Sequence, residues 1–124
     1  MKYLALACFA AALLMTPLAN AEIVQVKLPK LSPEAQTGGQ IFMGNCAKCH
    51  GMVAGGTDKG PPLIHKIYEP NHHADFAFFR AVQYGAKAHH WPYGNMPPQP
   101  HVSEADVELI IKFVREVQRA NGID

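Results

Sequence analysis

The stretch Cys46-Ala47-Lys48-Cys49-His50 decides the fold of this 124-residue chain. It has the pattern C-x-x-C-H, which is the attachment signature of a c-type haem. Two thiols three positions apart can each add to a haem vinyl group and form a thioether, and the histidine that follows then faces the iron. The pattern predicts one covalently bound haem c per chain, held through Cys46 and Cys49, with His50 as the proximal iron ligand.

The same cysteine spacing also occurs in redox dithiols and in halves of zinc sites. A dithiol reductase would carry the pair at the start of a helix between two strands. A closed zinc site would need two further thiolates or imidazoles at similar spacing. The sequence contains neither arrangement, so the haem interpretation is favoured.

The first 21 residues have the pattern of a secretory signal peptide. Met1-Lys2 is a short basic start, Tyr3 to Met15 is an apolar run too short to span a bilayer comfortably, and the segment ends in the small residues Ala19-Asn20-Ala21. We expect cleavage after Ala21, export to the periplasm and no membrane span in the mature chain. Cys8 lies in the apolar run, so both remaining cysteines belong to the haem motif and no structural disulfide is possible.

The charge balance excludes some partner classes. The chain has 11 Lys and Arg against 10 Asp and Glu, and Lys2 is in the signal peptide, so the mature chain is formally neutral before histidines are counted. Nucleic acid and anionic lipid both require a surplus of positive charge. Neither is expected as a main partner.

Helix signals divide the mature chain. Residues 22–33 contain Pro29 and Pro33 and are predicted to form an extended N-terminal arm. Ser32 and Pro33 predict the start of a helix that runs to about Asn45. Gly38 and Gly39 inside it are costly unless another helix crosses there at close range.

Two more helices are predicted further along. Asp75 to Tyr84 reads as a short helix with Phe76, Phe79 and Val82 on one face and Gly85 at its end. Ser103 and Asp106 form a capping pair for a last helix that ends at Asn121-Gly122. Its apolar stripe consists of Val107, Ile110, Ile111, Val114 and Val117.

Between these helices lie a loop from Gly51 to Leu63 and an irregular, proline-rich segment from Ala86 to His101. We therefore predict an all-α domain over residues 34–124, with three to four helices around the haem. The segment 86–101 would carry side chains to a fixed place over this scaffold.

Three separated motifs, in this order, resemble the class I c-type cytochromes of bacteria. They are Gly38-x-x-Ile41-Phe42-x-x-Asn45 running into the haem motif, Gly94-Asn95-Met96-Pro97-Pro98, and the last helix from Val107 to Val117. The resemblance implies the small cytochrome c fold of a monohaem protein. It also implies that Phe113 packs against the glycine of the first helix, here Gly38.

The resemblance implies that Met96 is the distal iron ligand. A thioether is neutral and soft, so it favours ferrous iron and raises the reduction potential relative to two histidines. Met43 and Met52 lie too close to the haem motif to reach the opposite face. The family also implies that the carbonyl of a proline after the motif accepts the second ring N–H of His50, with Pro61 the better candidate and Pro62 its neighbour.

Histidine pairs depart from the simple pattern. His72-His73 and His89-His90 could form a second metal site for copper or zinc, or His89 or His90 could replace Met96 on the haem iron. They could equally be solvent-facing residues or donors to the haem propionates, a role also open to Trp91 and Tyr93.

The sequence therefore predicts an exported one-electron carrier and not an enzyme. Redox proteins of the periplasm or membrane would dock transiently at the haem edge near Cys46, Cys49 and Met96, with the carrier itself a monomer. One alternative is a haem subunit of a larger oxidoreductase, tethered by residues 22–33. Others are a small metal-binding protein that uses the histidine pairs and, if Met96 is labile, a peroxidase-like activity.

Overall fold

The computed structural model describes residues 22–124, and the predicted signal peptide lies outside this range. The described chain contains four α-helices: α1 Pro33–Asn45, α2 Ala47–His50, α3 Asp75–Tyr84 and α4 Glu104–Ala120, with a 3₁₀ turn at Lys66–Tyr68. No strand occurs within 22–124, where the only sheet-like pairing is an isolated bridge between Ala86 and Met96. The predicted all-α fold is confirmed.

Local capping sets the starts of the two long helices. The hydroxyl of Ser32 accepts a hydrogen bond from the Ala35 N–H at 3.2 Å, and Pro33 takes the first helical position. In α4, the Ser103 hydroxyl accepts from the Asp106 N–H, and the Asp106 carboxylate accepts from the Ser103 N–H. These reciprocal bonds satisfy amide groups that a helix start otherwise leaves unpaired.

Helices α1 and α4 cross at the glycine pair. A Cβ on Gly38 would overlap the carbonyl oxygen of Leu109, so the two backbones touch, as the paired glycines predicted. The predicted partner of Phe113 is wrong by one residue. Its ring lies against Gly39, where a Cβ would sit 3.2 Å from the ring, because the backbone of α4 already occupies the space over Gly38.

The stripe of α4 forms most of the core. All five predicted apolar residues of this helix are buried, together with Phe113, whose ring centroid lies 5.3 Å from that of Phe42 on α1. Burying a stripe of this kind is what stabilises an amphipathic helix in a small domain.

Helix α3 presents a different face from the one predicted. Phe79 and Val82 pack against the core, but Phe76 is 69 % exposed. Phe78, which lies off the predicted stripe, packs against the core instead, and the Arg115 guanidinium carbon is 5.1 Å from its ring centroid. Contact with only part of α4 rotates the buried face of this short helix away from Phe76.

The N-terminal arm is extended and lies on the domain. The Val24 N–H donates to the Gly55 carbonyl at 2.9 Å. Further along, the Asn121 side chain donates to the Lys27 carbonyl and accepts from its N–H, both at 2.9 Å. The arm is thereby joined to the loop after α2 and to the end of α4.

A buried polar pair on α4 fixes the segment between residues 63 and 75. Arg115 donates to the carbonyls of Tyr68 and His73 at 2.7 and 2.5 Å and to the Asp75 carboxylate at 2.9 Å. Gln118, 1 % exposed, donates to the carbonyls of Leu63 and Tyr68. Both side chains satisfy backbone groups of a segment that has almost no regular structure of its own.

In the part of the chain that the structure describes, no helix has the length and apolar character needed to cross a membrane.

Candidate functional site

The motif residues sit on and beside the short helix α2. Cys46 ends α1 and precedes α2, while Cys49 and His50 lie within it, and all three side chains are half-buried. Because α2 follows α1 directly, the crossing of α1 with α4 also positions the motif. The two thiols are free in this structure.

The loop after α2 folds back onto it. The Gly56 N–H donates to the His50 carbonyl at 2.7 Å, and the Thr57 hydroxyl donates to the Cys49 carbonyl at 2.6 Å. Gly51 has a φ of 80°, a conformation that side chains rarely adopt, and this lets the chain reverse at once. The loop thus satisfies carbonyls at the end of α2 and carries Pro61 to the histidine.

The His50 ring is fixed by a backbone carbonyl. Its Nδ1 lies 2.9 Å from the Pro61 oxygen, and since a carbonyl only accepts, Nδ1 carries the proton and Nε2 keeps a free lone pair. Burial lowers the pKa of His50, which favours the neutral ring that binds metals. Of the two adjacent prolines, Pro61 is the one whose carbonyl makes this contact.

The thiol environment argues against dithiol chemistry. Burial, together with the neighbouring Cys49, raises the pKa of the Cys46 thiol to about 11. Catalytic dithiols use an attacking thiolate with a lowered pKa. The Cys46 thiol is therefore protonated at neutral pH, unlike an attacking thiolate.

A cavity of about 810 Å³ opens beside the motif. Cys46, His50 and Met96 line it together, so the chain brings the predicted iron ligands to one space. Its volume falls within the range of cofactor pockets, and its walls are mainly apolar. The apolar part of the lining includes Phe42, Leu63, Ala77, Phe78, Ala81, Val82 and Ile110.

The backbone holds Met96 in place. Ala86 and Met96 exchange two hydrogen bonds, and the Asn95 side chain accepts from the Ala88 N–H at 2.9 Å. The Gln99 N–H then donates to the Val82 carbonyl on α3. Sequence reasoning missed Ala86 and Asn95, although an asparagine in a turn segment is a common partner for nearby amides.

One buried polar atom in the cavity wall has no partner. Trp91 lines the cavity, and its indole nitrogen is buried without a hydrogen bond to any residue in 22–124. Burial raises the pKa of Tyr68 and the neighbouring Trp91 indole opposes that rise, so the Tyr68 hydroxyl or a group bound in the cavity would give this donor its acceptor. A carboxylate-bearing cofactor with an apolar body would supply that acceptor.

The histidine pairs converge at the edge of the same cavity. His73, His89 and His90 are among its lining residues, and the Nε2 atoms of His72 and His90 are 3.3 Å apart. Burial lowers the pKa of His73, and loss of solvation with the neighbouring imidazoles lowers that of His90. The two pairs come together because the loops that carry them face each other.

Comparison with known families identifies this arrangement. The family model described as "Cytochrome c" matches residues 35–118, well over half of the chain, and the chain therefore belongs to the cytochrome c family. Searches of the curated proteins and of the solved structures found no match.

The cofactor of the chain is haem c, the group that this family binds covalently through the two cysteines of the C-x-x-C-H motif. The residues of the site fit it: two half-buried thiols at the start of and within one short helix, an imidazole with a free Nε2, a mainly apolar cavity and an indole N–H in its wall. Membership of the family also makes haem-based electron transfer the general function and redox proteins the general class of partner.

Proposed function

We propose that this chain is an exported monohaem carrier that shuttles single electrons between periplasmic or membrane redox proteins. Cys46 and Cys49 would hold the haem through thioethers, and His50 and Met96 would bind the iron from opposite faces. The bound haem supplies one-electron exchange between ferrous and ferric iron.

One observation carries the proposal: His50 and Met96 line the same cavity, and separate hydrogen bonds hold the His50 ring and the Met96 backbone. A ring and a backbone segment held in this way do not need to move when the iron changes oxidation state. The Pro61 carbonyl orients the imidazole and raises its basicity. Two strong protein ligands would also leave no coordination position for a substrate, which suits a carrier better than a peroxidase.

The local chain supports transient docking at this side of the domain. Met43 and Met52 flank the motif and are 47 % and 70 % exposed; Lys48 is exposed within the motif, and Lys87 is exposed at the cavity. Flexible apolar methionines with scattered positive charge suit a small, short-lived interface. A monomer that releases its partner quickly would need no larger patch.

The first test is an optical spectrum of the purified mature protein, oxidised and reduced. The weak long-wavelength band of a ferric iron–methionine bond should be present and should disappear in Met96→Ala. Met43→Ala and Met52→Ala are matched controls because both methionines lie near the motif, and both variants should keep the band. Persistence of the band in Met96→Ala would remove Met96 from the proposal.

Potentiometry tests the same ligand quantitatively. Met96→His should lower the reduction potential, since the neutral thioether favours ferrous iron. The variant should still bind haem covalently, which a haem stain on a denaturing gel can check. An unchanged potential would mean that residue 96 does not bind the iron.

Export is tested separately from ligation. The protein recovered from a periplasmic fraction should have the mass of a chain that begins at Glu22, with one haem added. A cytoplasmic protein that retains residues 1–21 would contradict export while leaving the electron-transfer proposal intact.

A further inference from the structure

Three histidines from two separate loops form a compact imidazole cluster, defined as His72, His73 and His90. One ring nitrogen from each lies within 4.8 Å of the others. His72 and His73 follow the 3₁₀ turn, whereas His90 belongs to the segment after α3. His89 lies beside the cluster, with its ring tilted against that of His90 at a centroid distance of 4.3 Å.

Hydrogen bonds to backbone carbonyls leave the Nε2 atoms of His73 and His89 free. The Nε2 atoms of His72 and His90 are instead hydrogen-bonded to each other at 3.3 Å, a bond that a metal ion would replace. His73 Nδ1 lies 2.6 Å from the Ile67 carbonyl, and His89 Nδ1 lies 2.7 Å from the Lys87 carbonyl. Because carbonyls only accept, both Nδ1 atoms carry the proton and both Nε2 atoms keep a lone pair. A backbone carbonyl on the far nitrogen is the arrangement that orients metal-binding histidines.

The loop that carries His73 is anchored before any ion arrives. Arg115 on α4 donates to the His73 carbonyl at 2.5 Å and to the Tyr68 carbonyl at 2.7 Å. Preorganisation of this kind lowers the entropy that binding must overcome. His72 and His90 are exposed, so an ion can enter from solvent.

We propose that His72, His73 and His90 form a second metal site, which binds one divalent transition-metal ion through three imidazole nitrogens. Three protein ligands leave a position open for water or a small ligand. An all-nitrogen set does not suit Mg²⁺ or Ca²⁺, which take oxygen ligands, and the site should bind Cu²⁺ more tightly than Zn²⁺.

Because of where the site lies, a bound ion should stabilise the fold. The ion would join the loop anchored to α4 with the segment that leads from α3 to Met96, and both border the cavity. Occupancy should therefore raise the thermal unfolding midpoint, as for any ligand that binds only the folded state. This consequence does not depend on which residues bind the haem iron.

The test uses the mature haem-containing protein without a polyhistidine tag. Titration calorimetry with ZnSO₄ and CuSO₄ should each reach one ion per haem iron, and bound Cu²⁺ should show nitrogen hyperfine splitting in its electron paramagnetic resonance spectrum. His72→Ala and His90→Ala should each weaken binding about tenfold or more, since even the loss of a ligand's outer partner has an effect of that size.

His101→Ala is the matched control. His101 is also exposed, but it lies at the other end of the irregular segment, where its ring is hydrogen-bonded to the Asn45 side chain. Its loss should leave metal binding unchanged. Absence of binding at micromolar ion would overturn the proposal, as would unchanged binding in both cluster variants. Loss of an iron–imidazole ligand from the haem spectrum in His90→Ala would also overturn the proposal, because His90 would then be a haem ligand. Failure of haem attachment would appear instead as a lowered iron content.

Discussion

Ala86 and Met96 face each other across a two-bond backbone bridge: the Ala86 N–H donates to the Met96 carbonyl at 3.0 Å, and the Met96 N–H donates to the Ala86 carbonyl at 2.9 Å. Ala86 follows the end of α3 after a single glycine. The bridge therefore connects the position of Met96 to a helix end, and the proline-rich loop acquires a fixed point at the residue proposed to bind the iron.

Gly85 should be essential to this bridge. Its φ is 75°, and a Cβ there would lie 2.5 Å from the Met96 carbonyl oxygen. Gly85→Ala should weaken or abolish the iron–methionine band in the optical spectrum and lower the unfolding midpoint. Gly94→Ala is the control, because Gly94 also has a positive φ, 82°, but has open space around it. The control should lose only about 1–2 kcal/mol of stability, which is the cost of placing alanine at a positive φ, and should keep the iron–methionine band. Equal spectral effects would contradict the role given to the bridge.

The crossing of α1 and α4 should not tolerate a side chain at Gly38. Gly38→Ala would force the Leu109 carbonyl away and should lower the free energy of unfolding by about 3 kcal/mol. Gly44→Ala, in the same helix but with nothing within 4 Å, should instead stabilise by up to about 1 kcal/mol through helix propensity. Urea unfolding measures the free energy of unfolding of both variants. If Gly44→Ala lowered it as much as Gly38→Ala, the effect would come from the helix backbone and not from the crossing with α4.

Arg115 should stabilise the fold mainly through its hydrogen bonds to backbone carbonyls, and only slightly through its ion pair with Asp75. Arg115→Leu leaves the His73 carbonyl and the Gln118 side-chain oxygen without this donor, and the Tyr68 carbonyl with Gln118 alone. The variant should lose about 3 kcal/mol of unfolding free energy. Asp75→Asn removes the carboxylate, which is 61 % exposed, and should cost less than about 1 kcal/mol. Comparable losses in the two variants would place the stabilisation in the ion pair instead of the backbone contacts.

The N-terminal arm should confer a pH dependence through Glu116. The Ser32 hydroxyl donates to its carboxylate at 2.6 Å and holds the pKa of Glu116 below its usual value. A carboxyl group with a lowered folded-state pKa stabilises the fold above its unfolded-state pKa, and this contribution is lost as pH falls through the folded-state value. Ser32→Ala should raise the pKa of Glu116 in a nuclear magnetic resonance titration.

The same titration contains its own control at the other helix start. Ser103 lowers the pKa of Asp106 in the same manner. Ser32→Ala should leave the pKa of Asp106 unchanged, and Ser103→Ala should raise it while leaving Glu116 unchanged. A shift of both groups in either variant would indicate a global change in the fold.

What the sequence alone determined about this protein is local. Ser32 and Ser103 set the starts of α1 and α4, and Gly85 sets the end of α3, because a cap acts on backbone groups within one helical turn. The motif at residues 46–50 indicated haem c, because the thioether chemistry depends on the spacing of adjacent residues. The buried stripe of α4 follows from the spacing of its apolar residues along the sequence, which matches the helical repeat.

Only the tertiary structure decided which residues meet across the chain. Phe113 contacts Gly39 instead of Gly38, and Phe76 faces solvent, because the rotation of one helix against another is set by the whole interface and one residue turns the face by about 100°. The buried network of Arg115 and the convergence of His72, His73 and His90 join positions far apart in sequence. No local pattern contains these distances, since they arise only when the loops are packed against α4.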